Sequence, residues 1–205
     1  MQSLLLGTRN PGKIEEIKSI LADSGWTFSS LQAFPDVDTP AETGVTYADN
    51  AILKAQFYAS ATGMCALADD SGLEVEALGG APGVYSARYA GENATDADRR
   101  TLLLSELAKT PDTNRRARFV AVVAISDLKG SVLNVSEGIC NGTIIHSPRG
   151  SGGFGYDPLF VPDGYDQTFA ELPETVKNRI SHRARALMNT RAFLSSLLDH
   201  RQTDS

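Results

Sequence analysis

The chain predicts an α/β fold whose central sheet runs in mixed directions, with helices packed on it. Short apolar runs at Ser3 to Leu6 and Cys65 to Ala68 stand beside capped, amphipathic helical stretches, a strand-and-helix alternation that builds parallel pairs. Two longer apolar or alternating runs, Ala117 to Ser126 and Ser131 to Ile139, are separated only by Asp127-Leu128-Lys129-Gly130. A connection that short joins antiparallel strands in a hairpin, so the sheet cannot be purely parallel.

The elements follow in order. Ser3 to Leu6 is a short buried strand. Asn10-Pro11 then supplies an N-cap and a proline at the first helical position, and Ile14, Ile17, Ile20 and Leu21 make one apolar face that runs to Gly25. Phe34 to Gly44 is acidic, proline-containing loop. Thr46 and Asp49 form a capping box for a second helix reaching about Thr62, with Ala51, Ile52, Ala55 and Ala59 inward. The strand Cys65 to Ala68 leads into Asp69-Asp70, and Gly79 to Gly83 is a rigid turn region. Thr95 to Asp98 caps a third helix through Leu107, which reads as core packing. After the hairpin, Gly150 to Gly155 is a glycine-rich loop, and Ser181 opens a last helix that buries Leu187, Leu194, Leu197 and Leu198. The polar tail, residues 199–205, is expected to fray.

With 205 residues, the chain fits one domain of about 1–198, or two closely joined lobes. At 41% hydrophobic and 21% charged it has ordinary globular composition, and a net charge of -6 disfavours a general nucleic-acid or membrane binder. Cys65 and Cys140 lack metal-ligand spacing and read as thiols of a reducing compartment, so the cytoplasm is the expected location.

The chemistry concentrates at Ala68-Asp69-Asp70-Ser71-Gly72. Neighbouring side chains on a strand point to opposite faces, so one carboxylate can meet a ligand while the other is held by the protein. Two acids against an apolar run need compensation by a cation or by hydrogen bonds. A hard divalent metal with phosphate as its remaining ligand would supply it, although a polar turn would look the same in isolation. Three other segments carry anion-binding chemistry. Thr8-Arg9-Asn10-Pro11-Gly12-Lys13 is a helix start with short polar side chains and a lysine in its first turn. Lys54 shares a helix face with Asn50, and Glu42 lies in the loop just before that helix as a second metal carboxylate. At Ser181-His182-Arg183 cations oppose the helix dipole, an arrangement that a bound anion would offset, and Lys177 adds to the cluster.

These segments, with Gly79-Gly80-Ala81-Pro82-Gly83-Val84-Tyr85-Ser86-Ala87-Arg88 and Gly152-Gly153-Phe154-Gly155-Tyr156-Asp157-Pro158, stand in the order seen in the inosine triphosphate pyrophosphatase, or Ham1-like, family. The chain resembles that family from about Leu4 to Leu198, and its bacterial dITP/XTP pyrophosphatases most. The resemblance implies an elongated fold of two lobes around a long sheet, with a nucleotide cleft between them, and a homodimer. It implies hydrolysis of ITP, dITP and XTP between the α- and β-phosphates with Mg2+, clearing non-standard purine nucleotides from the pool. Carried onto this sequence, Asp70 is the proton acceptor and a metal ligand, with Glu42 the second. Thr8, Arg9, Asn10, Pro11, Gly12 and Lys13 hold phosphate and Lys54 neutralises it. Ser71, Phe154, Gly155, Tyr156, Asp157, Lys177, His182 and Arg183 bind nucleotide, Phe154 as a flat face for the purine and Arg183 as donor to its 6-oxo edge. The role of Asp69 stays open among metal ligand, support and turn.

Overall fold

The computed structural model describes residues 3–111 and 114–203, without the side chains of 199–203. Six strands form one sheet: β1 (Ser3–Leu6), β2 (Thr27–Ser30), β3 (Ala66–Val75), β4 (Arg116–Ser126), β5 (Val132–Ile144) and β6 (Phe160–Pro162), in the order β2-β1-β3-β4-β5-β6. Strand β1 runs parallel to β2, with Leu4 opposite Phe28, and parallel to β3, with Leu5 opposite Ala66. Strand β6 is antiparallel to β5. The mixed direction read from the hairpin is therefore present. Five helices accompany the sheet among the described residues: α1 (Pro11–Ile20), α2 (Tyr47–Thr62), α3 (Asp96–Leu107), α4 (Glu174–Ile180) and α5 (His182–Thr203).

The chain divides into two compact units, and the strands pass from one to the other. The first comprises Met1–Asp70, Ala121–Gly138 and Arg183–Ser205; the second comprises Ser71–Val120 and Ile139–His182.

In the first unit, β1 is buried on both faces. Leu4 and Leu6 join Ile17, Leu21, Trp26, Leu67, Val123, Ile125, Leu187 and Leu194 on one side, while Leu5 joins Leu31, Tyr58 and Ala66 on the other. A strand covered on both sides must be continuously apolar, which is why its sequence reads Leu-Leu-Leu without alternation. The Trp26 indole N–H donates to the carbonyl of Leu194 at 3.1 Å and so anchors α5. In the second unit Leu73, Val75, Leu103, Leu107, Phe119, Phe160, Phe169 and Leu172 make the core, with Phe119 edge-on to Phe160 at 4.7 Å.

The structure departs from the sequence reading at several elements. Strand β3 does not stop at Ala68 but continues to Val75, so Asp69 and Asp70 sit inside the strand. Helix α1 ends at Ile20, and a turn closed by Ser24 N–H on the Leu21 carbonyl carries the chain to Gly25. Strand β2 and helix α4 gave no clear signal: Thr-Phe-Ser-Ser is short and polar, and α4 has only 7 residues. Ser181 is an extended residue between α4 and α5, consistent with a cap at that corner. The backbone of α5 continues through Thr203; the side chains of the expected frayed tail lie outside the described residues.

Candidate active site

The sharpest feature of the first unit is the opposite fate of two adjacent carboxylates. Asp69 and Asp70 are 2% and 6% exposed. Pleating turns them to different faces of β3. Asp69 Oδ2 accepts from Lys13 Nζ at 3.0 Å and from Arg183 Nε at 3.2 Å. Arg183 Nη1 donates at 2.5 Å to Glu16. Burial alone would raise the Asp69 pKa, but Lys13 and Arg183 overcome it and hold the carboxyl far below the usual range. Burial lowers the Lys13 pKa, with Asp69 opposing. Asp69 Oδ1 is buried and has no hydrogen-bond partner among the described residues.

Asp70 meets a different set. Its Oδ1 accepts from Lys54 Nζ at 3.2 Å and its Oδ2 from Asn50 Nδ2 at 3.2 Å. Burial raises its pKa, Lys54 only partly offsets that, and the nearby Glu42 adds to it. Lys54 also binds Glu42 Oε1 at 2.6 Å; burial works against its charge, but Asp70, Asp69 and Glu42 together raise its pKa. Helix α2 places Asn50 and Lys54 one turn apart on one face, fixed by the Thr46–Asp49 capping box. The Asn50 carbonyl oxygen accepts from Gly44 N–H at 2.8 Å, so one side chain joins the Glu42 loop to Asp70.

Glu42 and Asp70 thus direct hard oxygen donors at a single cationic point. That donor set fits magnesium, which takes one or two protein carboxylates and fills its shell with phosphate and water. Among the described residues, no group of three or more His, Cys, Asp or Glu is placed to hold a metal.

The turn before α1 is tied by its own side chains: Thr8 Oγ1 accepts from Asn10 N–H and Asn10 Oδ1 from Lys13 N–H. These bonds use acceptors, so the donors of both side chains are not consumed by them. Pro11 opens the helix and Gly12 follows. Arg9 is exposed and donates to the Val37 carbonyl at 2.6 Å.

In the second unit the loop 153–157 is held at successive residues. Asp157, 3% exposed, accepts from Phe154 N–H at 2.9 Å and from Lys177 Nζ at 2.6 Å. The Lys177 ammonium lies 4.8 Å from the centre of the Phe154 ring. Gly153 has φ of 67°, and a side chain there would strike the Asp157 carboxylate, so glycine is required on both counts. The Tyr156 hydroxyl donates to the Ser86 carbonyl at 3.0 Å, while burial pushes its pKa upward. Ser86 Oγ in turn accepts from Leu73 N–H at 2.9 Å, which gives the Gly79–Arg88 motif its part: it ties the loop to β3. His182 stacks on Phe119 at 4.6 Å with 11° between the rings. Ser71 is the first residue of this unit, directly after Asp70.

The structure therefore gathers Lys13, Glu42, Lys54, Asp70 and Arg183 in one unit and Phe154 to Asp157, Lys177 and His182 in the other. Lys177, expected beside phosphate, has its ammonium engaged by Asp157 and the Phe154 ring. Arg183 commits two donors to Asp69 and Glu16. Glu16 and Asn50, which bond to Arg183 and Asp70 in the buried network, were not read as site residues. Asn50 had a signal in its spacing from Lys54, whereas no motif or spacing marked Glu16.

Fold and site together define a mixed α/β protein with a buried carboxylate–lysine cluster on a central strand, equipped to handle a polyanion. The chain belongs to the Ham1 family, whose sequence profile matches residues 4–193. It is 48% identical over 199 residues to the dITP/XTP pyrophosphatase of Desulforamulus reducens, covering 97% of this chain and 98% of that one. It is 50% identical over 187 residues to that of Geobacter sulfurreducens, covering 91% and 94%. The solved Ham1 protein of Coxiella burnetii superposes with a TM-score of 0.87 at 41% identity, over 96% of this chain and 100% of that chain.

Proposed function

We propose that the protein hydrolyses non-standard purine nucleoside triphosphates, among them dITP, ITP and XTP, to the nucleoside monophosphate and pyrophosphate. The observation that carries the reading is the split of Asp69 and Asp70 between two sets of cations. Names of relatives near half identity over almost the full chain support the substrate class.

Phosphoryl transfer to water needs positioning and charge neutralisation more than covalent help. Lys13 and the Thr8–Gly12 turn engage the phosphates, with Arg9 at the rim, and Lys54 offsets charge on the departing pyrophosphate. Asp70 orients the attacking water and accepts its proton; contact with a bound cation would hold its carboxyl low, so orienting the water carries more of the role than removing the proton. Magnesium held by Glu42 and Asp70 would neutralise phosphate oxygens and make the phosphorus more electrophilic. Asp69 acts by holding Lys13 and Arg183 in place. Phe154 offers a flat face to the purine, the segment Gly155 to Asp157 with Lys177 supports it, and Ser71 contributes polar contact to the nucleotide. The corner Ser181-His182-Arg183 supplies the donor to the 6-oxo oxygen, leaving the 6-amino group of adenine unmatched.

The protein works as a homodimer in the cytoplasm. The exposed Leu128, Val132, Leu133 and Val135 of the β4–β5 hairpin support self-association, to be checked by sedimentation equilibrium. No helix among the described residues is long and apolar enough to cross a membrane.

Product analysis with magnesium and ITP, XTP, dITP, GTP and ATP side by side tests the central reading. Monophosphate plus pyrophosphate from the first three, with little from GTP or ATP, is the expected result. Orthophosphate as product, or equal use of ATP, would overturn it.

A further inference from the structure

Helix α3 reads from sequence as core packing, yet its first turn reaches the loop that carries Phe154. Asp96 Oδ2 accepts from Gly155 N–H at 2.7 Å, and Arg100 Nη1 donates to the Gly155 carbonyl at 2.7 Å. The two side chains lie four residues apart on one helix face and grip both peptide groups of a single residue. Gly155 has φ of 61° and no side chain of its own, so nothing intrinsic restricts it. Arg99 completes the device by donating to Asp96 Oδ1 at 2.5 Å and to the Ala94 carbonyl at 2.7 Å, which aims the other Asp96 oxygen at the loop. The Thr95–Asp98 capping box fixes where the helix begins. On the far side of Gly155, Tyr156 is bound to Ser86; on the near side Phe154 N–H is bound to Asp157.

The geometry points to Asp96 and Arg100 as positioning residues for purine recognition: a charged clamp on Gly155 that holds the Phe154 ring in its stacking orientation. The inference deepens the reading of Phe154 as the purine platform and rests on it. A ring on a mobile loop must be ordered when the base arrives, and that cost is removed if the loop is already fixed. The side chains themselves need never touch substrate. Losing the clamp therefore weakens capture of the base while leaving the phosphate chemistry of the first unit alone.

The test is a kinetic cycle with ITP on the full chain, using Arg100→Met, Asp96→Asn and Phe154→Ala, and inhibition by inorganic pyrophosphate as the readout of the phosphate end. Each clamp variant should raise KM about tenfold, with kcat changed less than about threefold, as expected for lost charge-assisted hydrogen bonds. Pyrophosphate inhibition should stay within about twofold of the parent, and Arg100→Lys, which keeps one donor, should recover part of the loss. In a Phe154→Ala background, Arg100→Met should add nothing further to KM, because the platform it serves is gone. If Phe154→Ala raises KM but Arg100→Met and Asp96→Asn do not, the clamp is overturned and the platform stands. If Arg100→Met raises KM equally in both backgrounds, its action does not pass through Phe154 and the inference fails. If Phe154→Ala itself leaves KM unchanged, the platform reading falls and the clamp with it.

Discussion

Asp69 and Asp70 are separated by one peptide bond yet titrate in opposite directions, because a strand sends them to different partners: Lys13 and Arg183 for one, Lys54 and Asn50 for the other. Replacing Asp70 with Asn keeps the shape and removes both the proton acceptor and a metal ligand. Turnover should fall at least about 100-fold while nucleotide binding stays measurable by calorimetry, and retained turnover would remove Asp70 from the mechanism. Arg183 is 2% exposed and is engaged by two buried carboxylates. Arg183→Ala leaves both without this cation, so it should cost about 3–5 kcal/mol in urea unfolding, beyond any change in purine preference. An unchanged midpoint would show that the network is dispensable. Lys13 and Lys54 were legible along the chain as lysines of an anion site, but not which carboxylates they pair with. Glu16 was not, because its partner lies 167 residues away and a charged residue on a helix reads by default as solvent-facing.

Local rules located α2 and α3 closely: in each, a threonine caps the helix and an aspartate three residues on returns the bond. Thr46→Ala should lower stability by about 1 kcal/mol, read from denaturant midpoints. Because Asn50 and Lys54 lie beyond the first turn and are packed, kcat should change less than about threefold. The hairpin was equally readable, since Asp127 Oδ1 accepts from both Lys129 and Ser131 N–H while Gly130 takes φ of 82°. Where local rules failed, tertiary context had overruled them. The polar residues of β3 stay extended because Leu73 and Val75 are buried beyond them. Strand β2 exists because β1 offers it a parallel partner, Ser3 opposite Thr27 through Leu6 opposite Ser30.

Across the whole molecule, stability rests on the apolar clusters. Leu187 is fully buried among Leu4, Leu6, Ile17, Val123 and Leu194. Leu187→Ala should cost about 2–5 kcal/mol and lower Tm by roughly 5–15 °C for a chain of this size, by calorimetry. A loss below about 1 kcal/mol would mean that the site collapses around the smaller residue. The sequence by itself determined the α/β class, the capped helices and the hairpin, because each of those is written in neighbours within a few positions. Only the tertiary structure decided that Arg183 is a buried counter-ion to Glu16 and Asp69, that Lys177 supports Phe154, and that α3 grips Gly155. Those are pairings between side chains far apart in the chain, and local periodicity carries no information about which distant charge will be the partner.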